Sequence, residues 1–190
     1  MTPMSKTYLV DANYRFIAAN QEVNTRIAQR QQALALYVSL MLSLLAALVA
    51  LRPTAGMREP PIEWLTLGFP VSSICFAFLN YKAERAISNL RAFLSMLERL
   101  ENAHETLPSY NTDPRWSNNA NQARRFHDYT AVLLVAGGNA AGLGAALSIY
   151  QQRLIDAPLF LYAAIFLALI SIVILALTPK WSYQAHTGAH

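Results

Sequence analysis

Four uncharged apolar stretches, Gln31–Leu51, Trp64–Tyr81, Tyr129–Gln152 and Ala157–Pro179, leave this chain few ways to fold. A helix rises about 1.5 Å per residue, so each stretch is close to the ~20 residues needed to cross a ~30 Å hydrocarbon layer. One such stretch could be a buried soluble helix, but four in 190 residues could not share one globular core. Charged residues are only 14% of the chain, against roughly 25% in soluble domains. The expected fold is all-α: a polytopic membrane protein with spans at about 32–51, 62–81, 129–151 and 157–178 and helical extensions outside the bilayer.

The basic residues orient these spans. With the N-terminus inside, the internal segments hold Lys6, Arg15, Arg26, Arg30, Lys82, Arg85, Arg91, Arg99, Arg115, Arg124, Arg125 and Lys180. The external connections hold only Arg52, Arg58 and Arg153. Twelve against three is a positive-inside signal that puts both termini in the cytoplasm. The polar first 30 residues have no short apolar core followed by a small-residue cleavage site, so no removable signal peptide is expected. Glu84, Glu98, Glu101 and Asp128 interrupt the basic residues, which argues for lipid contact over nucleic acid. Cys75 is the single cysteine, inside the second stretch, so no intrachain disulfide can form.

Two of the spans continue as amphipathic helices. From Lys82 to His104, Ala83, Ile87, Leu90, Leu94 and Leu97 recur at three- and four-residue steps, and no breaker separates them from the second span. Ile87, Leu90, Leu94 and Leu97 form a candidate cytoplasmic interaction face, for the other extensions or for a protein partner. A weaker stripe, Phe16, Val23, Ile27 and Leu34, starts the first helix well inside the cytoplasm. Leu107–Thr112 reads as a loop, and Asp113-Pro114 as an N-cap followed by proline at the first helical position. The chain divides into two similar hairpins, 1–104 and 105–190, alike in layout and not in residues.

The third span differs from the others. Gly138, Gly142 and Gly144 lie in a run of small residues from Ala136 to Ala145, with Gly138 and Gly142 as a GxxxG pair. Small residues let helices approach closely where lipid supplies no hydrophobic drive, so they mark intrachain packing or a homo-oligomer contact. Asn139 sits mid-span and must face protein or water; it is a candidate for an interhelical bond to Ser72 or Ser73, or for a pore lining. Pro70 removes a backbone bond from the second span and is a candidate hinge. The fourth span, rich in Leu, Ile, Ala and Phe, is expected at the lipid-facing perimeter.

No catalytic, cofactor-binding or metal-binding set is expected. Arg99 and His104 have the R-x4-H spacing of some helical ribonucleases, but a lone pair on an amphipathic helix reads better as a solvated face. His127 and Asp128 have no further ligand nearby in sequence, and His186 and His190 sit in the tail.

The layout around Arg26-Ile-Ala-Gln-Arg30-Gln31-Gln32-Ala-Leu and Asn80-Tyr81-Lys82-Ala-Glu84-Arg85 resembles small bacterial transmembrane anti-phage effectors of the SLATT-like and Pycsar types. The resemblance covers about half the chain and is one of architecture. It implies a non-enzymatic inner-membrane protein that assembles and disrupts the bilayer. Four spans and the lack of a nucleotide-sensing domain depart from that pattern. The alternatives are a membrane scaffold or accessory subunit recruiting a cytoplasmic partner through residues 82–126, and a toxin-immunity protein.

Overall fold

The computed structural model describes residues 11–52 and 61–185. Helix α1 runs from Ala12 to Ala50 and α2 from Ile62 to Glu98. A 3-10 turn at Leu100–Asn102 and the one-turn α3, Ala103–Thr106, follow. Helix α4 spans Pro114–Ile149, the short α5 Gln151–Asp156 and α6 Pro158–Leu177, which ends in a 3-10 turn at Thr178–Trp181. No strand occurs among the described residues. Helices α1, α2, α4 and α6 with its end are long and apolar enough to cross a membrane, which makes this an all-α polytopic membrane fold.

Helices α1, α2 and α4 have 39, 37 and 36 residues. At 1.5 Å per residue each is over about 50 Å long, so each outruns a ~30 Å layer and continues past it. All three continue on the same side. The 20 residues of α6 cover only the apolar layer. Helix α2 is central, lying along α1 on one flank and α6 on the other, with α4 closing the bundle.

The interior is layered. At the short-loop end Leu48, Ile62, Ala146, Tyr150 and Leu154 form one apolar cluster. There the Tyr150 hydroxyl donates to the Leu48 carbonyl at 3.0 Å, and Arg153 pairs with Glu63 at 2.8 Å. Mid-span, Tyr37, Met41, Phe69, Phe76, Val135 and Leu175 form the main core. Below it comes a layer of charges, and beyond that Ala19, Val23, Ile87 and Leu94 join the extensions of α1 and α2. Rings mark both edges of the α2–α6 contact: Trp64 meets Phe160 edge-on at 5.3 Å, and Tyr81 meets Trp181 at 5.0 Å.

The Asp113-Pro114 signal holds: the Asp113 carboxylate accepts from the Arg115 amide at 2.8 Å, with Pro114 in the first helical turn. The helix expected from Lys82 through His104 instead stops at Glu98. Its carboxylate leaves the helical stripe and accepts from the Asn111 amide (2.9 Å), the Asn111 side chain (2.8 Å) and the Thr112 amide (3.1 Å). Glu101 and Asn102 then take left-handed φ values of 54° and 57°, which reverse the chain. The third span ends at Ile149, short of the expected 151, and the connection after it is the helical turn α5. Most of the connection between α1 and α2, residues 53–60, lies outside the described residues, as do Lys6, Arg58, His186 and His190.

Helix α6 is not purely a perimeter element. Its small residues Ala164, Ala168 and Ser171, with Leu175, are buried, while Leu159, Tyr162, Phe166, Leu169 and Val173 face outward. Cys75 lies on the outward face of α2.

Candidate functional site

Arg30 ends the last polar turn of α1 before its apolar run, Glu84 lies one turn past the span of α2, and Asp128 immediately precedes the span of α4. The three positions are at one depth on three helices, and the fold brings them together. The Arg30 guanidinium donates from Nε to Asn80 Oδ1 at 2.6 Å, from Nη1 to Glu84 Oε2 at 3.1 Å, and from Nη2 to Asp128. Arg30 is 5% exposed, Glu84 0% and Asp128 2%, so the network is shielded from water. Burying an ion costs several kcal/mol even after relaxation, which only a near-complete set of partners offsets. Arg30 has that set, because its planar fork meets three acceptors at once.

A second arginine completes Glu84. Arg124 Nη2 lies 3.1 Å from Glu84 Oε1 and donates to Asn121 at 3.0 Å. Ser88 bridges the layer to the chain end, donating to the Trp181 carbonyl at 3.1 Å, and the Asn121 amide donates to the Tyr183 carbonyl at 2.9 Å. The segment after α6 is therefore tied to α2 and α4 through this layer.

Burial pushes the Asp128 carboxyl above its ordinary range, with the Arg30 charge and hydrogen bond pulling the other way. Burial also lowers the His127 pKa from its ordinary 6.5; Arg30 lowers it further and Glu84 opposes. His127 is thus held neutral next to the network, and its Nε2 has no protein partner.

Beside the network lies a cavity of about 540 Å³ between the extensions of α1, α2 and α4. Arg30, Arg91, Arg124 and His127 line one part, Val23, Ile27 and Leu94 another. The loop after α3 supplies Tyr110 and Asn111, and Arg91 stands 5.7 Å above the Tyr110 ring. That loop is held by Glu98 and by the Tyr183 hydroxyl, which donates to the Asn111 carbonyl at 3.1 Å.

The expected mid-span residues lie elsewhere. Asn139 donates to Ser73 Oγ at 2.7 Å and to the Val135 carbonyl at 2.8 Å. The Ser73 hydroxyl proton goes to the Phe69 carbonyl, so Tyr37 donates its own to Ser73, at 3.1 Å. Asn139 is 3% exposed and faces α2 inside the bundle, with its Oδ1 unpartnered. A Cβ at Gly142 would collide with the Phe69 ring, and one at Gly138 would come within 2.8 Å of Met41 Cε. Both glycines therefore serve contacts within the chain. Gly144 and Gly137 differ: a Cβ there meets nothing within 4 Å.

Helix α2 runs unbroken through Pro70, which is buried. Of the amphipathic stripe, Ile87 and Leu94 are covered by α1, and Leu90 and Leu97 are half-buried. The left-handed pair at 101–102 separates Arg99 from His104, so these two do not share a helix face.

The charged layer was missed by hydropathy and motif reading, which took Arg30 and Arg124 as topology signals and Glu84 and Asp128 as interruptions of the basic residues. A usable signal existed: one basic and two acidic residues, Arg30, Glu84 and Asp128, stand within about a turn of the same edge of three spans. No family model, curated protein or solved structure matches the chain.

Proposed function

We propose that this protein is a non-enzymatic component of the bacterial inner membrane that assembles as a homo-oligomer in the bilayer and permeabilises it. In this reading both termini and the three helical extensions are cytoplasmic, as the sorting of basic residues predicts. One observation carries the reading: the uncovered small-residue face of α4. Gly137, Ala140, Ala141, Gly144 and Ser148 recur at helical spacing on its exposed side. Gly137 and Ala141 open onto an apolar groove of about 290 Å³ between α1 and α4, walled by Val38, Leu42 and Leu45 of α1. Close helix approach in lipid uses faces of this kind, so a second copy of α4 is the expected occupant of this face. A passage then lies between copies, because Asn139 and Ser73 are engaged within each chain. The anti-phage setting draws its support from the helical layout.

Reconstitution into dye-loaded vesicles tests this. The wild-type chain is expected to form oligomers and release dye, while Ala141→Leu and Gly144→Leu stay monomeric and leave the vesicles tight. A wild-type protein that remains monomeric, or vesicles that stay sealed at every protein loading, would overturn the proposal.

A second reading, an accessory subunit that recruits a soluble partner, has support from Phe93, Met96 and Leu100, which are exposed on the α2 extension and the turn after it. It predicts a stoichiometric partner that is lost on Met96→Glu.

A further inference from the structure

The buried charges beside the 540 Å³ cavity do not balance. Three guanidinium groups, Arg30, Arg91 and Arg124, face two carboxylates, Glu84 and Asp128. Arg30 and Arg124 share those carboxylates between them. Arg91 is 9% exposed, and its contacts are the Asn121 side-chain oxygen at 3.3 Å and the Tyr110 ring. Neither is an anion. A cation so far out of water without a counter-charge is unfavourable, so an anion entering beside it is favoured.

The rest of the lining fits the same ligand. No Asp or Glu is among the described residues that line the cavity. One further donor there is idle, Arg124 Nε, which is buried without a partner; His127 Nε2 is a second buried polar atom with no protein partner. Asn20, Asn24 and Gln31 bring side-chain amides from α1. Guanidinium forks pair with phosphate oxygens two bonds at a time, which makes arginine clusters good phosphate sites. The volume is too large for phosphate alone. It lies within the ~300–1,000 Å³ range of small-molecule pockets. Val23, Ile27 and Leu94 give an apolar wall for the body of a ligand, and the Tyr110 ring gives a flat surface.

We propose that this cavity binds a phosphate ester with an organic body, its phosphate seated on Arg91 and Arg124 and its body against Val23, Ile27, Leu94 and Tyr110. The phosphate can belong to a soluble metabolite or to a lipid headgroup, since the cavity lies just past the apolar spans. The seat joins α1, α2 and α4 with the loop at Tyr110, so an occupant braces elements that otherwise meet through Arg30.

Thermal unfolding of the full chain in maltoside micelles, which carry no phosphate, tests this, and it does not depend on whether copies assemble. The soluble probes are AMP, glucose 6-phosphate and inorganic phosphate; the lipid probe is phosphatidylglycerol mixed into the micelle. At least one ester is expected to raise the unfolding temperature, with Arg91→Gln weakening its apparent affinity by about tenfold or more, the loss of a charged hydrogen bond. Unliganded Arg91→Gln should be as stable as wild type or more so, because it removes an unbalanced cation; a purely structural Arg91 predicts the reverse. Arg91→Lys keeps the charge without the fork and should fall between the two. Stabilisation by phosphatidylglycerol alone, lost in Arg91→Gln, assigns the phosphate to a headgroup. No response to any ester or to the anionic lipid would overturn the proposal. So would a response undiminished in Arg91→Gln, or one equally large with inorganic phosphate.

Discussion

Arg30 ties three helices together, because α1, α2 and α4 meet at its guanidinium. Removing one member of a buried ion network leaves the others uncompensated, so Arg30→Met is expected to cost about 3–5 kcal/mol. Neutralising the orphaned partner with Asp128→Asn should recover much of that loss, since Glu84 keeps Arg124 as its counter-charge. Unfolding in detergent, compared across the single and double variants, checks both halves. His127 supplies a pH dependence. Its folded pKa lies below the ordinary 6.5, so the unfolded chain takes up a proton that the folded chain refuses. Its contribution is therefore complete above pH 6.5 and is lost as the medium is acidified towards the lowered value. Asp128, raised by burial, acts with the opposite sign, so the His127 component is read as the difference between wild type and His127→Gln. Arg30 and Glu84 are the charges that act on His127, and both remain in that variant.

At the scale of the helix, the glycines of α4 divide by face. Gly142→Ala pushes a methyl group into the Phe69 ring, a buried group with no room to shift, and should cost about 1–3 kcal/mol as overpacking does. Gly144→Ala meets open space and should leave the stability of the single chain unchanged. Thermal unfolding of the two variants in monomer-stabilising detergent separates these outcomes. The sequence showed that this span was special but could not sort its glycines, because sorting needs to know which side faces Phe69. The spans themselves were legible, since hydropathy over twenty residues is a local property. So was the Asp113 cap, which acts across two residues. The end of α2 was not legible. It depends on Glu98 capping a loop 13 and 14 residues further on, a contact that no local pattern carries. The charged layer was illegible for the same reason: Arg30 finds its partners 50, 54 and 98 residues away.

Across the whole molecule, the two pairs of rings along α2 and α6 work as a length gauge. Trp64 and Tyr81 stand seventeen residues apart on α2, about 26 Å of helix. Such rings settle at headgroup level, so the chain is matched to a hydrocarbon layer thinner than the ~30 Å average. Stability should accordingly peak in short-chain phosphatidylcholine bilayers and fall in long-chain ones, which unfolding measured across a series of acyl lengths would reveal. A thicker membrane must pinch inward around each copy, at a fraction of a kcal/mol for every ångström of mismatch. Two copies side by side share one pinched rim instead of making two. The strain in the surrounding lipid would then draw copies together before their helices touch.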